Sequence, residues 1–148
     1  MRIEFRVVGI PQRHRVGARA IQGKHGRPIA LIYDDPKAKD WKRTVQAAAL
    51  LVRPDRLLTG PVELTAVFYM PILKSFSKKK VAAVHAGEEI PHVVTPDRTA
   101  LLRSTEDALT GVIWVDDAQV WNGPLKKIYG DPPGVEIVIE TPEDSSNG

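Results

Sequence analysis

The sequence predicts a mixed α/β (α+β) fold, with helices packed on a mixed β-sheet. Three observations predict it. "GPVELTAVFYMPI" alternates with the period of two that a half-buried strand requires, placing Val62, Leu64, Ala66, Phe68 and Met70 on one side. "TPDRTALLRSTEDALTG" carries the 3.6-residue periodicity and terminal signals of a helix. Strand-type and helix-type stretches then interleave along 148 residues, a length that suits one core. The expected organisation is a single domain over residues 1–141 and a small polar tail over 142–148.

Taken in order, "IEFRVVGI" reads as a strand that stops at Gly9 and Pro11. "PQRHRVGARAIQGKHGRP" is basic, Gly-rich and without clear period, so a long loop or an irregular hairpin is expected, followed by a short strand, "IALIY". In "DDPKAKDWKRTVQAAALLV", Asp35 can cap a helix and Pro36 suits its first turn. Trp41, Val45, Ala48 and Val52 share one face, and Lys39, Lys42, Arg43 and Gln46 the other. After the alternating strand, "KSFSKKKVAAVHAGEE" predicts a loop and a short helix capped by Ser75 or Ser77. In the next helix Thr95 is the expected cap, Pro96 the first position and Gly111 the stop, with Leu101, Leu102, Thr105, Ala108 and Leu109 buried. "VIWV", "AQVWNGPLKKIYG" and "PGVEIVIE" complete the pattern as three strands.

Composition removes several function classes. There is no cysteine, which excludes disulfides, thiolate catalysis and Cys-based zinc sites, and a cytoplasmic location fits. No run approaches the roughly 20 apolar residues of a membrane span, and the N-terminus shows strand-like alternation in place of a signal peptide's apolar block. No Gly-rich phosphate loop with a following Lys is present, so no nucleotide cofactor is expected. His14, His25, His85 and His92 lack metal-ligand spacing. The net charge of +3 is unevenly spread: residues 1–53 hold twelve Lys or Arg against four Asp or Glu, and residues 97–148 hold four against ten. A basic half followed by an acidic half suits a protein that holds phosphates with cations and a metal with carboxylates. Simple solubilisation accounts for it equally.

The candidate carboxylates are Asp97, in the expected first turn of its helix, and Asp116 and Asp117, after the expected strand "VIWV". Such acids converging from element ends could supply oxygen ligands to Mg²⁺. Capping alone would explain Asp97, and a solvated turn would explain the pair. Lys78, Lys79 and Lys80 could track a phosphate backbone or form a solvated helix start. Arg103 stands one turn beyond Thr99 and four residues before Asp107, so it is either a phosphate-facing cation or half of an intrahelical pair.

The stretch "PILKSFSKKKVAAVHAGEEIPHVVTPDRTALLRSTEDALTGVIWVDDAQV" resembles the RusA family of Holliday-junction resolvases, which has many phage-borne members. The family pattern is a Ser–Lys-rich stretch, a His, a "PDxDNLxK" helix leading into "DALxG", an apolar strand and "DDAQV". Ser75, Ser77, Lys78, Lys79, Lys80 and His92 fit its first part. Pro96, Asp97, Leu101 and Arg103 fit the helix, with Arg for Lys. Asp107 to Leu109, Gly111 and Asp116 to Val120 fit the remainder, while "IPQRHRVGAR" and "IYDDPKAKDW" match more loosely.

The resemblance implies a homodimer that binds four-way DNA junctions and other branched DNA and nicks them with Mg²⁺, for which Mn²⁺ can substitute. It implies Asp97 and Asp117 as metal ligands, Asp116 as a ligand or a supporting group, and Arg103 as the phosphate-facing cation. Arg13, Arg15 and Lys24 in the N-terminal segment, Lys37, Lys78 to Lys80, Arg98 and Arg103 would neutralise DNA phosphates. The chain departs from the pattern at Thr99 and Ala100, which replace an acid and an Asn. A Thr hydroxyl brings no negative charge. The alternative expectation is therefore a junction-binding protein of the same fold with weak or lost nuclease activity. A basic nucleic-acid scaffold is the third possibility.

Overall fold

The computed structural model describes residues 1–14, 16–23 and 26–142. Arg15, Lys24 and His25, together with the expected tail beyond Pro142, lie outside the described residues.

The main sheet has five strands. Its path is β1 (Arg2–Val8), β7 (Gly134–Glu140), β4 (Val62–Met70) and β5 (Val120–Asn122), and β6 (Leu125–Tyr129) also pairs with β4. β7 runs antiparallel to both β1 and β4, whereas β5 and β6 run parallel to β4. The sheet is mixed, as expected. β4 lies at its centre, and the alternation in its sequence is realised in full: every second residue from Val62 to Met70 is buried, and the residues between are half-exposed. β2 (Val16–Gln22) and β3 (Pro28–Asp34) form a separate two-stranded antiparallel sheet. The segment read as a loop or irregular hairpin is thus a hairpin with regular register.

One face of the main sheet is covered by α1 (Pro36–Leu50) and α3 (Arg98–Leu109). α1 starts where its sequence says, the Asp35 carboxylate accepting hydrogen bonds from the Lys37 and Ala38 amides, and it buries Trp41, Val45 and Ala49. α3 buries Leu101, Ser104, Thr105, Ala108 and Leu109. These side chains meet the buried row of β4 and Val135, Ile137 and Ile139 of β7 in one continuous core. The opposite face carries Arg6 stacked on Tyr69, and the Tyr69 hydroxyl donates to Glu136. The result is two layers, an α+β fold. α2 (Lys78–His85) is short and capped by Ser77, whose hydroxyl accepts from the Lys80 amide. Among the described residues, no helix is long and apolar enough to cross a membrane.

Three local expectations are corrected. The cap of α3 is Asp97, not Thr95, and Pro96 lies ahead of the helix. Lys127 supplies the reason: its ammonium donates to the carbonyls of Val94 and Pro96, both at 2.7 Å, and holds that segment off the helix. "VIWV" is a buried turn, not a strand. Gly111, with φ of 83°, stops α3, and Ile113 and Trp114 fold straight into the core, where Trp114 makes isolated bridges to Leu58 and Thr110 outside the named strands. "AQVWNGPLKKIYG" is two strands, broken at Gly123 and Pro124.

Candidate active site

The expected carboxylates lie at the two ends of α3: Asp97 occupies the cap position at its start, and Asp116 and Asp117 follow its end. At the entrance of the helix, Asp97 is exposed. Its backbone carbonyl accepts from the Leu101 amide, but its side chain makes no capping bond. Capping therefore does not account for this carboxylate. Its neighbour is Lys127, which sits on the helix-covered side of β6. Partial burial lowers the Lys127 pKa, and the Asp97 charge acts in the opposite sense.

Past the far end of α3, Asp116 and Asp117 open a 3₁₀ turn, Asp117–Gln119. Because the preceding residues form no strand, pleat alternation does not orient the pair; a capping box does. The Asp116 carboxylate accepts from the Ala118 amide at 2.9 Å, and the Gln119 side-chain oxygen accepts from the Val115 and Asp116 amides. The Gln119 amide nitrogen donates to the carbonyls of Leu58 and Gly60, so the turn is locked to the segment that enters β4. The Ala118 amide, and then Asp117, hold the Asp116 pKa below its ordinary value. Asp116 is thus committed to building the turn, while Asp117 stays exposed beside it, its side chain hydrogen-bonded to that of Asp116. The charge that answers Asp117 is another acid. Glu106, half-buried on α3, has its pKa raised first by burial and then by Asp117.

Asp97 and Asp117 therefore belong to different ends of β4. Lys127, beside Asp97, is paired with Phe68, and Val120, at the end of the Asp117 turn, is paired with Val62. Those two levels of the strand are roughly 20 Å apart at the rise of an extended chain. A divalent cation holds oxygen ligands at only about 2.0–2.6 Å. Among the described residues, no group of three or more His, Asp or Glu side chains stands close enough to hold an ion. Among the described residues, the three expected carboxylates do not gather into one ion-holding group. Thr99 is exposed in the first turn of α3 and adds no charge between the two ends.

The cations are better assembled. Arg103 is exposed and makes no ion pair with a described residue. The pairing with Asp107 offered by the helical spacing is not formed, because Lys42 of α1 and His14 take Asp107 instead. Arg13 and Lys37 share a cleft of about 400 Å³ beside the start of α1. Arg13 also lines a cavity with Lys74, a cation that sequence reasoning did not single out. Lys78, Lys79 and Lys80 form the exposed first turn of α2, and Arg98 the exposed first residue of α3. Lys127 and the structural role of Gln119 were also missed, while Glu106 lies too far along the helix from Thr99 to replace the acid of the family pattern. The alternation of "LKKIY" was the available signal for Lys127, since it turns one of its two lysines toward the helices.

A family model described as endodeoxyribonuclease RusA matches residues 11–140. The uncharacterized protein YqaN of Bacillus subtilis (strain 168) is 34% identical over 107 residues, covering 72% of this chain and 75% of that protein.

Proposed function

The chain belongs to the RusA family of endodeoxyribonucleases, and on that premise we propose that it binds branched DNA, four-way junctions foremost, and cuts it by phosphodiester hydrolysis. The match over residues 11–140 carries this reading, and it fits a single nuclease domain over residues 1–141. The exposed cations support it: Arg13 and Lys37 in one cleft, the lysine turn of α2, and Arg98 and Arg103 on α3 offer repeated contacts to phosphates. We assign Asp97 and Asp117 as the reacting carboxylates, Asp116 as the residue that positions Asp117, and Arg103 as the guanidinium that faces phosphate. A four-way junction has approximate two-fold symmetry, so the working form in this proposal is a homodimer that presents the same site to two strands. Mg²⁺ or Mn²⁺ dependence belongs to the proposal as a quantity to be measured.

A second reading, junction binding with weak or absent cleavage, is favoured by two specific observations. Thr99 stands where the family pattern has an acid, and Asp97 and Asp117 occupy opposite levels of β4. One experiment separates the readings. A labelled four-way junction is incubated with wild-type protein, Asp117→Asn and Thr99→Asp, in Mg²⁺ and in Mn²⁺. Paired nicks that vanish in Asp117→Asn and increase in Thr99→Asp support the enzyme. A shifted junction band without nicks for wild type in either metal supports the binding protein. Equal affinity for junction and linear duplex would overturn both.

A further inference from the structure

Beneath the N-terminal segment, where Ile10 to Arg13 crosses the end of β4, lies a cavity of about 510 Å³. That size is within the range of pockets that hold small organic groups, ~300–1,000 Å³. Its walls are apolar: Ile10, Pro11 and Leu73 contribute, and Ile10 and Leu73 remain exposed at the mouth. Two cations, Arg13 and Lys74, stand in the same lining. Gln12 and Thr95 also line it, and His92, only 7% exposed, is the buried polar side chain of its wall.

That histidine is held firmly and used by nothing else. Its backbone amide donates to the Lys127 carbonyl, and its ring stands edge-on to Tyr129, 5.0 Å between centroids. Nδ1 is sealed without a hydrogen-bond partner, and among the described residues the ring makes no side-chain hydrogen bond. Nδ1 is sealed from the cavity, but Nε2 is neither sealed nor hydrogen-bonded to a described residue, and a polar nitrogen left open in a cavity wall points to a ligand. The ligand must be flat and apolar over its faces, polar at its edge and anionic where it joins the outside. A nucleobase with its flanking phosphates has those properties.

Taking the branched-DNA reading above as its basis, we propose that this cavity is a base-capture subsite. One unstacked base from the strand beside the branch enters it, lies against Ile10, Pro11 and Leu73, and is hydrogen-bonded at its edge by His92, while Arg13 and Lys74 hold the adjoining phosphates. Burial and the Lys127 charge lower the His92 pKa, which favours the neutral ring, and its open Nε2 can donate to or accept from a base edge according to the tautomer. The lining ends at Thr95 and Pro96, one residue before Asp97, so a captured base would fix the register of the strand against the assigned carboxylate.

The test uses four-way junctions with 2-aminopurine placed in turn at each position flanking the branch, bound to the full chain. Emission should rise severalfold at one position as that base leaves the stack. Affinity should depend on which natural base occupies it, and His92→Phe should remove that dependence, a loss of about fivefold for the favoured base. If His92→Phe does not fold, Lys74→Glu, on the surface, should abolish the emission rise. Unchanged emission at every position, with the junction still preferred over duplex, overturns the subsite and leaves the branched-DNA reading standing. No preference for the junction overturns both. A fall in solution mass on Leu73→Asp, measured by sedimentation, would assign the cavity mouth to a contact between copies and overturn the subsite.

Discussion

At Glu106 two forces that raise a carboxyl pKa act together. Burial against the β5 edge withdraws water from the charged form, and the Asp117 carboxylate adds like-charge repulsion. The folded chain therefore binds the Glu106 proton more tightly than the unfolded chain does. The stability linked to this group is fully present below the unfolded carboxyl range and is lost as pH rises through the higher folded value. At pH 7 the ionised side chain opposes folding. Glu106→Gln should raise the melting temperature at pH 7 and change it little at pH 4. A thermal denaturation series from pH 4 to pH 8 checks this, and a gain of equal size at both ends would mean that charge is not the cause. Asp97 is a carboxylate at a helix entrance that the helix does not use for capping and that a lysine faces.

The break between β5 and β6 is set by Gly123, at φ of 144°, where a Cβ would lie 1.7 Å from the Leu64 carbonyl oxygen. β5 can lie against β4 only because this side chain is missing. Gly123→Ala combines backbone strain with overpacking, and should cost about 3 kcal/mol or more. A melting temperature lowered by roughly 6–12 °C would register it; a loss under 2 °C would show that the turn relaxes freely. The same stretch illustrates what the sequence could and could not tell. β4, α1 and β7 were legible because their periodicity and caps are local properties of the chain, as Asp35 and the Val62–Met70 row show. "VIWV" was misread because four apolar residues fit a buried turn as well as a strand, and burial of Ile113 and Trp114 against α3 and Leu58 decided it. The start of α3 was misplaced because Lys127, distant in sequence, claims the Val94 and Pro96 carbonyls. Acids at element ends were visible individually, but their separation depends on the register of β5 and β6 along β4, which no local pattern encodes.

Across the whole molecule, the charge asymmetry of the chain does not survive as two separate halves. β1 from the basic end pairs with β7 from the acidic end, joining Arg2 to Glu140, and Lys42 of α1 reaches Asp107 of α3. What emerges is polarity along β4. Arg13, Lys74 and Lys127 gather near its C-terminal end, around the cavity and the Asp97 entrance, while Glu106, Asp116 and Asp117 lie toward its start. The lysine turn of α2 belongs to the cationic end: Lys80 stacks on Phe76, and Phe76 stands against Tyr129 of β6. A DNA strand drawn to this molecule should therefore be held at that end, and mainly through phosphates. Each phosphate contact removed lowers the salt slope of binding by about 0.9 for duplex DNA. Replacing Lys78, Lys79 and Lys80 together with Gln should weaken junction binding at low salt and flatten the plot of log affinity against log salt by about 2–3 units. Fluorescence anisotropy over a sodium chloride series measures both quantities. The three side chains are exposed, so the variant should fold as the parent does. An unaltered slope would place the DNA track elsewhere, with Arg13 and Lys37 of the neighbouring cleft the next cations to neutralise.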